Sequence, residues 1–207
     1  MPTVFDDNVI IQGDLEVTGA KPETPRSYLQ QEGSQVYEVP MELVRVFDSA
    51  AALPTAGAAD DLGLYLASGG MGVGGLYIGT GDVKAAGCTR KARFRFVLPP
   101  EYVSAGSIFI RAKSGMITTV ADGSATIDFS AYEELGTSLV TVTDLVTTAA
   151  QSINSTTWAS KDFVIDASDL VAGDTIDVLM TITVADTATG TAVIAGVIPY
   201  MCLAIKG

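Results

Sequence analysis

No histidine occurs anywhere in the chain, and this limits its chemistry more than any residue that it does contain. Serine and cysteine nucleophiles of hydrolytic enzymes depend on a neighbouring histidine as base, so triads and dyads of that kind are excluded. Zinc sites that use histidine are excluded as well. The two cysteines, Cys88 and Cys202, form no CxxC pair and are too few for a tetrathiolate site. We expect Cys202 to be a small buried hydrophobic residue.

Adjacent carboxylates occur at Asp60–Asp61 and at Glu133–Glu134. Glycoside hydrolysis needs two carboxyl groups that face each other across a cleft, about 5–10 Å apart. Neighbouring residues on a strand point to opposite faces of the sheet, so adjacency does not predict such a pair. We interpret both pairs as surface residues, and a polysaccharide-degrading site built from distant carboxylates is the minor alternative.

Two glycine- and aspartate-rich stretches suggest cofactor sites but fit them poorly. Gly70–Gly75 matches GxGxxG, yet it precedes a strand-like segment, and the acidic residue of a dinucleotide site is replaced by Arg90. Asp166–Asp174 lacks the ligand spacing of an EF-hand, so we expect Asp166 to cap a turn that Gly173 closes. The sequence therefore predicts no cofactor and no metal.

Lys91, Arg93 and Arg95 form the one basic cluster of a chain whose net charge is −12. The acidic balance argues against a nucleic acid or an anionic membrane as partner, since each needs a basic surface. The cluster is either a solvated strand edge or a docking point for an acidic neighbour, including another copy of this chain.

Short alternating segments predict an all-β protein. In Lys91–Leu98, two arginines point to one face and two phenylalanines to the other, and Ile176–Val184 places five apolar residues on one face. We predict a jelly-roll β-sandwich of eight or more strands. The remaining expected strands lie within 36–47, 63–80, 107–113, 125–129, 139–146, 163–165 and 192–205.

A six-residue unit is written twice at the N-terminus, as NVIIQG and then DLEVTG, within Asn8–Gly19. Each unit is a β-segment closed by a glycine. Ordering about 12 residues costs roughly 12–24 kcal/mol of backbone entropy. Burial of Val9, Ile11, Leu15 and Val17 returns roughly 6–12 kcal/mol, so the unit does not fold alone. We expect it to fold against other chains.

The proline-containing stretch Ala20–Arg26 indicates a linker, so we predict an N-terminal arm over residues 1–26 and a jelly-roll domain over residues 27–207. The start of the chain lacks the basic and apolar regions of a secretory signal. The final apolar run contains Pro199 and is shorter than the roughly 20 residues that span a bilayer. We therefore expect neither export nor a membrane partner.

Several stretches resemble structural proteins of tailed bacteriophages. The opening NVIIQGDLEVTGA resembles the β-segments that begin many phage fibre, spike and head-decoration chains. DDLGLYL, KARFRFVLPPEYVSAG, IRAKSGMITTVADGSATIDF and LVAGDTIDV resemble jelly-roll domains of such virion proteins. The resemblance covers nearly the whole chain, but its motifs mark a fold and carry no catalytic residue.

The resemblance implies a non-enzymatic capsid cement, or decoration, protein that forms a homotrimer on the major capsid protein at the outside of the virion. Such a protein is made in the host cytoplasm. We expect Val9, Ile11, Leu15, Val17, Arg93 and Arg95 at the trimer or capsid interface. The alternative is a tail-fibre or tail-spike module that binds a host-surface glycan, with Tyr65, Tyr77 or Trp158 as stacking platforms.

Overall fold

Ten β-strands make up the fold in a computed structural model that describes residues 34–66, 75–84, 86–103, 106–121, 123–136, 140–186, 193 and 195–206. A single 3₁₀ turn, Met41–Leu43, is the only helical element in those ranges. The strands are β1 (Ser34–Glu38), β2 (Gly63–Leu66), β3 (Leu76–Gly79), β4 (Cys88–Val97), β5 (Ser107–Met116), β6 (Ser124–Glu133), β7 (Gln151–Ser152), β8 (Ala159–Ile165), β9 (Thr175–Ala185) and β10 (Gly196–Lys206).

The strands form two antiparallel sheets. The first sheet has the order β2-β3-β10-β5-β8, and β1 pairs with β10 beyond the short β3 contact. The second sheet has the order β4-β9-β6-β7. No helix in the described ranges is long and apolar enough to cross a membrane.

The order of pairing makes this sandwich a jelly roll. The innermost pair is β6 with β7, and around it lie β5 with β8, β4 with β9 and β1 with β10. The chain is therefore a set of nested antiparallel pairs wrapped into two sheets, as in a double Greek key. The β2–β3 hairpin is an addition at one edge of the first sheet. The predicted all-β jelly-roll sandwich is confirmed.

The core lies between the sheets and follows the period-two pattern of the sequence. The five alternating apolar residues of β9, Ile176 to Val184, are all buried, and Phe94 points inward while Arg93 and Arg95 point outward. Phe129 of β6 and Phe163 of β8 meet edge to face, with ring centroids 4.9 Å apart. This contact joins the two sheets because the rings come from opposite sides of the core.

The strand predicted within 139–146 is wrong. The described part of that stretch makes only isolated bridges, from Val140 to Glu134 and from Val146 to Ile165. The cause is Asp144, whose Oδ1 accepts hydrogen bonds from the backbone N–H groups of Ala131 and Val146, both at 2.9 Å. A side chain thus takes the place of a ladder bond, as aspartate often does in turns.

The predicted N-terminal arm and its linker, residues 1–26, lie outside the described residues, as does the loop Gly70–Gly74. The first described residue, Ser34, pairs with Lys206 at the start of β1. The chain therefore enters the sandwich at the end where β10 finishes.

Candidate functional site

The basic cluster lies on the outer face of the second sheet. A buried aspartate carboxylate pairs with two of its arginines. Asp177 of β9 is only 3% exposed and accepts hydrogen bonds from two arginines. Arg93 donates from Nη2 to Oδ2 at 2.5 Å and from Nε to Oδ1 at 3.3 Å. Arg95 donates from Nε to Oδ2 at 2.9 Å, and its Nη1 lies 3.4 Å from Glu134 Oε2.

These contacts assign the arginines a structural role that the sequence does not reveal. The hydrogen bond to Asp177 raises the pKa of Arg95, so its charge is held at every ordinary pH. The third basic residue, Lys91, lies over the ring of Phe47 at 5.2 Å. The expectation that Arg93 and Arg95 contact a partner remains a prediction.

Two of the three predicted stacking aromatics stack on each other. Tyr65 and Tyr77 face each other across the β2–β3 hairpin, with ring centroids 5.2 Å apart and planes inclined by 11°. Glycines lie beneath them, since a Cβ at Gly63 would come within 2.9 Å of Tyr65 Cε2. The Gly57 N–H donates to Tyr65 Oη at 2.6 Å. The two half-buried rings therefore stabilise the pairing of β2 with β3.

Trp158 lies just before β8. Its indole N–H donates to the Met116 carbonyl at 3.1 Å, and its ring packs on Gly115. A Cβ at Gly115 would approach the ring to 2.3 Å, so the absence of a side chain makes room for the indole. Much of the surface of this ring serves packing.

The adjacent carboxylates do not face each other across a cleft. Asp61 Oδ1 is enclosed with no hydrogen-bond partner among the described residues, and burial, followed by the charges of Asp60 and Asp48, raises its pKa. Glu134 instead contacts Arg95. Within the ranges that the structure covers, no group of three or more acidic or cysteine side chains could hold a metal ion.

The turn at Asp166–Asp174 has the predicted geometry. Asp166 Oδ1 accepts a hydrogen bond from the Ser168 N–H at 3.1 Å, and Gly173 has a φ of +94°. Both cysteines are free thiols, and Cys202 is buried as expected. Burial raises the pKa of Cys88.

One end of the sandwich is built by three segments that hydrogen-bond to one another. The Leu98 N–H donates to the Asp174 carbonyl at 2.8 Å, the Glu134 N–H to Thr175 at 2.8 Å, and the Asp166 N–H to Leu145 at 2.7 Å. We call this surface the loop end; its described residues are 97–103, 134–136, 140–146 and 166–174.

Six of the twelve exposed valine and leucine side chains among the described residues lie at the loop end. Val142 is 99% exposed, and five others there are also exposed: Val97, Val103, Leu135, Val140 and Val171. At the opposite end, Val193 is the single exposed large aliphatic residue among those that the structure describes. Leu66 of β2 and Leu43 of the 3₁₀ turn are also exposed, so the contrast is between the two ends of the sandwich, and the end richer in apolar residues is the better candidate for a binding surface.

A groove opens between the edges of the two sheets and reaches the loop end. Its cavity of about 170 Å³ is lined mainly by apolar side chains. The first-sheet side contributes Tyr37, Leu203 and Ile205, the second-sheet side Phe94, Phe96 and Val97, and the 3₁₀ turn Pro40 and Leu43. We call this feature the edge groove.

No protein-family model matches the chain, and no curated protein matches its sequence. Solved structures similar to it include the CBM22-1 xylan-binding domain of Xyn10C from Paenibacillus barcinonensis, at 14% identity and a TM-score of 0.41, over 80% of this chain and 94% of that domain. The CBM36-1 domain of a xylanase from the hindgut metagenome of Trinervitermes trinervoides has 10% identity and a TM-score of 0.34, over 84% and 98%.

The xylan-binding module CBM15 has 14% identity and a TM-score of 0.34, over 84% of this chain and 97% of that module. The likeness is one of backbone fold, and xylan is what those domains are described as binding.

Neither the loop end nor the edge groove can be predicted from the sequence. The exposed residues of the loop end come from segments far apart in the chain, and single valines in polar loops carry no periodic signal. A partial signal exists in LPPEYV, where Pro99 and Pro100 stop β4 and leave Val103 in the connection. The groove depends on how two sheet edges meet, which only the assembled sandwich defines.

Proposed function

We propose that the chain is a non-enzymatic structural protein of a virion, and that it decorates the outer surface of the capsid through its loop end. The observation that supports this most directly is the contrast between the two ends of the sandwich, with six exposed aliphatic residues described at the loop end and one at the opposite end. Association is driven by removing apolar surface from water. The loop end provides such surface on three segments that hydrogen bonds hold together.

Charge at the loop end indicates the kind of surface that fits it. The same segments carry the acidic residues Glu101, Asp144, Asp166, Asp169 and Asp174. An acidic, partly apolar face suits a protein surface with an apolar centre and basic groups around it. It disfavours a phosphate backbone.

The energy available to one copy favours several copies acting together. The six exposed aliphatic side chains of the loop end return on the order of 1 kcal/mol each on burial. Association costs an estimated 4–15 kcal/mol, so one loop end binds weakly. A homotrimer that presents three loop ends raises the affinity through multivalency. The trimer is part of the proposal, and we expect a solution mass three times that of one chain.

Charged substitutions at the loop end test the proposal. We expect Leu135→Asp and Val142→Asp each to lower the affinity for purified particles of the encoding virus by about tenfold or more, because a buried charge replaces an apolar contact. Thermal melting should stay within about 2 °C of the parent protein, since both side chains are exposed.

Val193→Asp is the matched control, since it places the same charge at an exposed valine of the opposite end. Its occupancy on particles should equal that of the parent. Equal occupancy of all three variants, or equal loss in all three, would contradict a contact made by the loop end.

Glycan binding is the second candidate, favoured by the Tyr65–Tyr77 pair on the outward face of the β2–β3 hairpin. Aromatic rings with a polar tip suit sugar surfaces. We expect xylohexaose and host-surface polysaccharide to give no saturable signal in calorimetry. Saturable binding that Tyr77→Ala abolishes and Tyr132→Ala leaves intact would support this function over capsid decoration.

A further inference from the structure

The edge groove lies between an edge strand of the first sheet, β1, and an edge strand of the second sheet, β4. In the first sheet β1 pairs with β10 on one side only, and in the second sheet β4 pairs with β9. The far edge of β4 is covered at Lys91 and Arg93 by backbone bonds to Asp60, Leu62 and Arg45. Beyond Arg93, no described residue donates to or accepts from the outward backbone groups of Arg95 and Val97.

An uncovered strand edge beside an apolar groove is a typical place for an added strand. Backbone pairing supplies affinity, and alternate side chains of the added strand enter the groove. Side chains two residues apart on a strand lie on one face, about 6–7 Å from each other. A ligand for this groove therefore needs two apolar residues at positions i and i+2.

The N-terminal repeat supplies that pattern twice, as Val9 with Ile11 and as Leu15 with Val17. The chain enters β1 at Ser34, at the loop end onto which the groove opens. Residues 20–33 span roughly 45 Å when extended, which is ample to bring either repeat to the groove. We propose that the edge groove binds the chain's own N-terminal segment, residues 8–19, as an added strand.

Tethering favours the segment of the same chain over that of a neighbour. A segment joined to its own groove through a linker of 14 residues has an effective concentration of about millimolar order there. Copies that are free in solution lack this tether, and the mixing experiment below tests whether a neighbouring copy within an assembly supplies the segment instead. The added strand would also cover Val97, which is 60% exposed. This inference does not depend on the proposed capsid function.

Amide hydrogen exchange of the full chain and of a variant lacking residues 1–20 tests the proposal. We expect the amides of Arg95 and Val97 to exchange at least tenfold faster in the truncated protein, because the added strand no longer protects them. A synthetic peptide of residues 6–20 should restore the protection. Unchanged exchange after truncation would overturn the proposal.

Matched substitutions separate the groove-facing side chains from their neighbours. Ile11→Asp combined with Val17→Asp should reproduce the truncation, whereas Gln12→Asp combined with Thr18→Asp adds the same charge on the other face and should leave exchange unchanged. Equal effects of the two double variants would contradict strand addition with this register.

Mixing isotope-labelled truncated protein with unlabelled full chain distinguishes the source of the segment. We expect the labelled amides of Arg95 and Val97 to stay unprotected, since each segment occupies its own groove. Protection of the labelled protein would show that the segment reaches a neighbouring copy and would overturn the assignment to the same chain. Capsid occupancy is not measured here, so failure of this inference leaves the proposed function intact.

Discussion

Phe129→Ala is expected to destabilise the protein more than any other substitution considered, by about 3–5 kcal/mol. Phe129 is 2% exposed, and its ring meets Phe163 edge to face across the two sheets. Its removal leaves a cavity between β6 and β8 that the surrounding strands cannot close, because their hydrogen-bonded register fixes them. Thermal unfolding should fall by about 6–20 °C for a domain of this size.

Phe129→Leu is the control for this prediction. It keeps most of the volume, so we expect a loss of no more than about 1.5 kcal/mol. Urea unfolding of both variants, with unchanged m-values, gives the comparison. Equal and small losses for alanine and leucine would show that the ring contact between the sheets contributes little.

Asp177→Ala should have the second largest effect, about 2–4 kcal/mol. The buried carboxylate accepts three hydrogen bonds from Arg93 and Arg95, and its loss leaves two guanidinium groups without their acceptor. Breaking a buried ion pair costs about 3–5 kcal/mol, and the partial exposure of both arginines to water lowers that figure. We expect the melting temperature to fall by about 5–15 °C.

Asp162→Ala provides the comparison for Asp177. Asp162 accepts from Arg111 at 2.6 and 2.7 Å, but both side chains are largely exposed. A surface pair of this kind contributes at most about 1 kcal/mol. If Asp162→Ala proved as destabilising as Asp177→Ala, burial would not be the cause of the difference that we expect.

The fold was predictable wherever side-chain alternation is strong. In β4 and β9, one apolar face against one polar face determines both the strand and the side that enters the core. The prediction failed where a single side chain overrides the pattern, as Asp144 does in the stretch after β6. Local propensity does not reveal which carboxylate will replace a backbone partner.

The site was less predictable than the fold, because its parts meet only in three dimensions. Arg93 and Arg95 stand out in sequence as a basic cluster, but their acceptor Asp177 is 84 and 82 positions away. Val142 and Val171 lie on different connections at the same end of the sandwich, and a hydrogen bond from the Asp166 N–H to the Leu145 carbonyl joins those connections. Sequence periodicity does not predict contacts between residues that are far apart in the chain.

The proposed function and the edge groove share Val97 and Pro99 and otherwise use different residues. The loop end is the surface proposed to contact the capsid, and the groove is the proposed position of residues 8–19 on their own chain. The sequence alone suggested that those residues fold against other chains. A segment bound in the groove would be unavailable to the capsid, so the exchange experiment decides between these two uses.

A reconstruction of the intact particle tests the central claim most directly. We expect jelly-roll density on the outside of the capsid, in groups of three, with Leu135, Val142 and Val171 within contact distance of the shell. Density at the tail, or a sandwich whose loop end faces solvent while Val193 faces the shell, would contradict the proposed function.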